Sequence, residues 1–193
     1  MRYPPDRKDT TRRKIVDAAS KAFRLHGVAG ASVADIMADA GLTVGGFYRH
    51  FDSKDALFQA ALEKAMGETL ALMQRRGESG EGSGATGDAW LARAAAIYLS
   101  PEHRDMQAAG CPLPGLTGEV SRGSADVRRS FQESLGDLVD AVAQRIDPHD
   151  PGAVRPRAWA FLASLVGSLL LARGVEDPSV VEEILGASRQ HLP

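Results

Sequence analysis

Three features predict an all-α fold. Apolar residues recur at helical spacing along most of the 193 residues, no alternating β-branched run marks a strand, and caps and glycines cut the chain into helix-length pieces. The pattern predicts about nine helices: a three-helix headpiece with a helix-turn-helix, then a helical body.

Ile15, Ala18, Ala19, Ala22 and Phe23 follow i, i+3, i+4, i+7, i+8 and define one buried helix face. Thr10 or Thr11 is placed to cap its start, and Gly27 stops it after His26. Ser32 caps a short second helix whose Val33, Ile36, Met37 and Ala40 point inward. Asp35 stands where a capping box usually has Glu or Gln. Gly41 ends this helix, with Leu42 packed under the turn, and Thr43 caps a third from about Val44 to His50. Val44, Phe47 and Phe51 are its candidates for the core. Ser53 caps a longer helix with Leu57, Phe58, Ala61, Leu62 and Ala65 as its stripe.

Residues 77–88, GESGEGSGATGD, read as a linker or loop. They include the pattern G-x-G-x-x-G from Gly82 to Gly87, but the preceding LALMQRR ends a helix. A dinucleotide-binding turn needs a strand there. Trp90, Leu91, Ala94, Ile97 and Tyr98 form the next stripe, closed by Ser100-Pro101. Leu113, Leu116 and Val120 mark a short helix stopping near Gly123. Val127, Phe131, Leu135, Leu138, Val142 and Ile146 mark a long one, closed by Asp147-Pro148. The most apolar helix runs from about Val154 to Val175, and Pro178 separates it from a last one near Ser179 to Arg189.

The longest apolar run, residues 158–172 between Arg157 and Arg173, has 15 residues. It falls short of the roughly 18 that a membrane span requires, so a buried helix and no membrane partner are expected. One cysteine, Cys111, excludes an intramolecular disulfide framework and fits a reducing, cytoplasmic setting. The net charge of −2 is unevenly spread: residues 1–64 hold 11 basic and 8 acidic side chains, the remainder 12 and 17. Residues 1–27 alone hold 8 basic against 3 acidic, so only the N-terminal part is suited to a polyanion. Scattered histidines, no H-E-x-x-H, no P-loop and no G-x-S-x-G argue against an enzyme, a metal site or a cofactor.

SVADIMADAGLTVGGFYRHFDSKDALF, residues 32–58, preceded by TRRKIVDAASKAFRLHGV, resembles the TetR family of bacterial transcriptional regulators. The likeness lies in the Gly-containing turn, in Tyr48, His50 and Phe51 closing the recognition helix, and in Ser53, Lys54 and Asp55 opening the next. It covers about 50 residues; GSLLLARGVEDPSVVEEIL also looks like the last two helices of many members. The resemblance implies a DNA-binding segment over 9–55, its motif at about 32–51, and a ligand-binding and dimerisation domain over 56–193. It further implies a homodimeric repressor released from a palindromic operator on double-stranded DNA by a small, mainly apolar effector.

Within that frame Thr43, Val44, Gly45 and Gly46 lie nearest the base edges, with the two glycines permitting close backbone approach. Relief of crowding in a tight turn is the plainer reading of the glycines. Tyr48, Arg49, His50 and Lys54 are placed for phosphates, joined by Ser32 and by Arg12 in a basic arm of Arg7, Lys8, Arg12, Arg13 and Lys14. Effector-pocket candidates are Met66, Leu70, Trp90, Tyr98, Met106, Cys111, Leu113, Leu116, Phe131 and Leu135. Trp159, Leu162, Leu165, Val166, Leu169 and Leu170, with Val180 and Ile184, are the dimer candidates, because an all-round apolar helix needs a second partner. Two alternatives stand beside this: oxidant or electrophile sensing through Cys111, which requires exposure and a lowered pKa, and a helical protein-interaction scaffold.

Overall fold

In the computed structural model, which describes residues 5–78 and 84–192, helix α1 (Pro5–Gly30) begins at a proline, whose missing N–H costs nothing in a first turn. Thr10 and Thr11 therefore lie inside α1 and do not cap it. The stop at Gly27 is real: its φ of 68° breaks the helical conformation within α1. A Cβ there would lie 3.0 Å from a Glu119 carboxylate oxygen, which a flexible side chain can yield, so the left-handed backbone is the constraint at this residue.

Helix α2 (Val33–Asp39) is capped as expected, with Ser32 Oγ accepting from the Asp35 N–H at 3.1 Å. Its end is a Schellman turn. Gly41 N–H donates to the Ala38 carbonyl and Leu42 N–H to the Met37 carbonyl, each at 2.9 Å, and Gly41 has φ 71°. Leu42 packs half-buried beneath the turn. The next segment, Val44–Arg49, is a 3-10 helix rather than an α-helix. Adjacent glycines weaken α-helical preference, and 3-10 geometry is used in such short pieces. Thr43 occupies the cap position, but its side chain makes no capping bond. Phe47 and Phe51 are buried, whereas Val44 is 48% exposed and belongs to the surface, not the core.

Ser53 Oγ accepts from Ala56 N–H at 3.0 Å and starts α3 (Lys54–Glu78). The body continues with α4 (Gly87–Tyr98), α5 (Pro101–Asp105), α6 (Leu113–Arg122), α7 (Ala125–Ile146), α8 (Pro151–Arg173) and α9 (Pro178–Gln190). Among the described residues there are nine α-helices, one 3-10 helix and no strand; Gly82 of the G-x-G-x-x-G pattern lies outside them. The five-residue α5 has no counterpart in the sequence reading, and Ser100 Oγ caps it by accepting from His103 N–H.

One continuous core joins headpiece and body. α1 packs on α3, α3 on α7, α7 on α8 and α8 on α9. Phe23 and Phe58 meet edge to face at 5.3 Å, and Ser130 Oγ on α7 donates to Glu63 Oε1 on α3 at 2.6 Å. At 23 residues α8 is long and apolar enough to cross a bilayer by length and composition, contrary to the count of its central run. Here it packs on its neighbours, burying Phe161, Leu162, Leu165 and Leu169 inside the subunit.

Replacing Gly41 by Ala is expected to cost about 1–2 kcal/mol, because the new Cβ must adopt a left-handed backbone. Urea titration should show a lower midpoint with an unchanged slope; an unchanged midpoint would mean the turn relaxes without penalty.

Candidate functional site

The 3-10 segment presents little side chain to solvent. Thr43, Val44 and Gly45 are exposed, and Gly46 is half-buried. A Cβ at Gly45 would meet nothing within 4 Å, and one at Gly46 would come no nearer than 3.7 Å to Met37 Cε. Neither glycine has a positive φ. Crowding within the chain therefore does not account for them.

Beyond the glycines, Tyr48 stands 75% exposed with its ring edge-on to Phe47 at 5.1 Å. Arg49 is exposed, Lys54 is half-buried in the first turn of α3, and the guanidinium of Arg12 lies over the Phe51 ring at 4.7 Å. The Arg7 side chain lies outside those described. His50 differs from the others: its Nδ1 is shielded from solvent with no hydrogen-bond partner. Burial, then the charges of Lys8, Arg12 and Arg49, hold its pKa below the ordinary histidine value. The arm and the recognition segment are thus close enough to form one basic cluster. Ser32 is exposed, but its hydroxyl is committed to Asp35, donating to Oδ2 at 2.5 Å as well as capping.

A second feature lies in the body. A cavity of about 670 Å³ opens between α1, α3, α4, α5 and the connection through Cys111. Trp90, Tyr98, Met106 and Cys111 line it as expected. Met66, Leu113 and Leu116 are instead buried core, and Leu70, Phe131 and Leu135 are half-buried against that core. Met66 and Leu70 share a helical stripe with Glu63, which bonds to α7, so they face α7 rather than the cavity. Sequence reasoning missed the charged wall: Asp17, Lys21 and Arg24 of α1, Lys64 and Glu68 of α3, Arg93 and Glu102. Residues on α1 were read only as core or arm, and nothing in their spacing points to a cavity.

Arg24 is the buried charge of this wall. Its Nη1 donates to the Gly110 carbonyl at 2.7 Å, Nε to Ser20 O at 3.0 Å and Nη2 to Ser20 Oγ at 2.7 Å, with Glu68 at 3.6 Å. Burial lowers its pKa and Glu68 opposes that shift. Lys64 pairs with both Asp17 and Glu68. His103 Nδ1–H donates to the Tyr98 carbonyl at 2.7 Å, while its Nε2 accepts from Cys111 N–H at 3.5 Å.

Cys111 is buried, and burial pushes its thiol pKa up. A reactive sensor needs exposure and a lowered pKa, so the thiol lacks both properties that the oxidant-sensing alternative required. The Tyr98 hydroxyl beside it is also shut off from solvent, and burial, then the neighbouring Cys111, raises its pKa well above the ordinary tyrosine value.

Residues 15–61 match the family model for bacterial regulatory proteins of the tetR family. The match covers the capped α2, the Gly41 turn, the 3-10 segment and the start of α3. Residues 15–61 therefore form a TetR-type DNA-binding segment. The chain is 26% identical over 176 residues to an uncharacterised helix-turn-helix transcriptional regulator from the lacX 3′ region of Lactococcus lactis subsp. lactis, covering 89% of this chain and 88% of that one. It is 39% identical over 79 residues to the regulator TtgR of Pseudomonas putida, covering 41% of this chain and 37% of that protein. A TetR-family regulator from Cytophaga hutchinsonii shares the fold at a TM-score of 0.75 and 20% identity, with 98% of this chain and 96% of that chain covered. The protein is a DNA-binding transcriptional regulator.

His50 should titrate below 6.5 in an NMR pH series, and Arg12→Ala should move its midpoint upward. Because the folded value is the lower one, stability associated with His50 is present above the unfolded pKa and lost as pH falls through the folded value. A midpoint indifferent to Arg12 would mean the arm does not reach the ring.

Proposed function

We propose that the chain acts as a homodimeric repressor whose residues 9–55 bind a palindromic operator and whose residues 56–193 bind an effector and dimerise. The observation that carries this reading is the side-chain-free backbone at exposed Gly45 and half-buried Gly46, glycines that no crowding inside the chain calls for. A duplex groove supplies the missing reason. Thr43 and Val44 reach base edges, the latter a thymine methyl, while the backbone approaches closely. Tyr48, Arg49, Lys54 and Arg12 hold phosphates and set the register. His50 adds a further hydrogen-bonding group beside them. Few side chains remain for direct readout, so DNA shape supplies part of the specificity.

Dimerisation uses the outward face of α8 with α9. Pro156, Trp159, Ala160, Ala163, Gly167 and Leu170 fall on one face, none is charged, and none is buried within the subunit. Half-buried Val166, with Val180 and Ile184 of α9, extends it. Leu162, Leu165 and Leu169 are buried within one subunit, so this reading rests on the outward residues instead. Twofold pairing there would present two headpieces to half-sites about 34 Å apart or a multiple of that. An effector in the α1–α5 cavity releases DNA only by binding the DNA-incompetent arrangement more tightly.

Mobility-shift titrations against DNA upstream of the gene, repeated across salt, test the DNA-binding role. Gly45→Ala should leave folding stability unchanged or raise it by about 0.5 kcal/mol, yet weaken DNA binding. Lys54→Ala should weaken binding to all sequences and lower the salt slope by about one. Full affinity in Gly45→Ala would remove the close-approach argument.

Leu170→Asp should convert the dimer to monomer in sedimentation velocity with the helical circular dichroism retained. A dimer that persists would place the interface elsewhere.

A further inference from the structure

We infer that the effector carries an anionic head, held by the Arg93 guanidinium, on an apolar body lying along α4. This rests on the effector-cavity reading above and assigns its chemistry. Trp90, Arg93, Ala94, Ile97 and Tyr98 all line the cavity and follow i, i+3, i+4, i+7, i+8, so α4 turns one whole stripe inward. Four members are apolar or aromatic; the fifth, half-buried, is a cation. The other charges of the wall are committed or peripheral. Arg24 directs its donors to Ser20 and Gly110 and pairs with Glu68, and Lys64 pairs with Asp17 and Glu68. Among the described residues Arg93 has no hydrogen bond or ion pair. Lys21 on the facing α1 is a second cation at the wall, exposed. The one remaining carboxylate, Glu102, is exposed in the first turn of α5, where the helix N-terminus already favours it. A planar guanidinium with free donors beside apolar surface matches a carboxylate, which it can bind bidentately.

Matched triplets of ligands test the inference: carboxylate, carboxamide and primary ammonium heads on phenyl, naphthyl and decyl bodies. Binding is read by thermal shift and calorimetry on the full chain, and DNA release by mobility shift. The carboxylate of at least one body should bind about tenfold tighter than its carboxamide, or more, and should release DNA. Arg93→Gln should erase that preference, Arg93→Lys should retain part of it, and Glu102→Gln should leave it intact. A preference for the amide or ammonium member, or a carboxylate preference that survives Arg93→Gln in a folded protein, overturns the anionic head while leaving the effector cavity in place. If no member of any triplet shifts the melting temperature or releases DNA, the effector-cavity reading falls, and this inference with it.

Discussion

A guanidinium taken out of water must have its donors satisfied where it lies, and in this protein that group is Arg24. Removing the partners of a buried charge typically costs about 3–5 kcal/mol. Its partners are spread widely in sequence: Ser20 one turn earlier on α1, Glu68 on α3, and the Gly110 carbonyl 86 residues away. Gly110 itself tolerates no side chain, since a Cβ would lie 2.7 Å from the Met106 carbonyl. The connection closes tightly over its own turn and offers one carbonyl to α1. One residue of the headpiece helix is thereby anchored to the cavity wall.

That anchor makes α1 a shared element. Ile15, Ala19 and Phe23 belong to the common core, Asp17, Lys21 and Arg24 line the cavity, and Gly27 lets the helix end against Glu119 of α6. α1 therefore joins the cavity wall to the headpiece core through one helix.

The two outer surfaces are built by opposite means. At the 3-10 segment, side chains are withheld, so the backbone stands open above the ring core of Phe47 and Phe51. On α8, apolar side chains are in excess: one face fills the core and another stays outside. Lys8, Arg12 and Arg49 around His50 concentrate positive charge on the headpiece, while the acidic excess remains in the body.

Local hydrogen bonding was legible from residue order alone. The Ser32 and Ser53 caps, the Gly27 break and the Gly41 turn each depend on groups within a few positions, so short sequence patterns suffice to find them. Thr10 and Thr11 misled because a helix can begin earlier at any compatible residue, and here Pro5 serves. The burial of Phe47 and Phe51 was also readable, since a short amphipathic segment has one apolar side to hide. Which of several apolar stripes meets which neighbour was not. Met66 and Leu70 turned to α7, Leu162, Leu165 and Leu169 into their own subunit, and Asp17, Lys21, Arg24 and Arg93 to a common cavity. The chain's own order of residues determined where helices start and stop and that the N-terminal part is a helix-turn-helix. Only the tertiary structure decided what each helix face touches, because periodicity reports that a face is apolar while burial depends on partners tens of residues away.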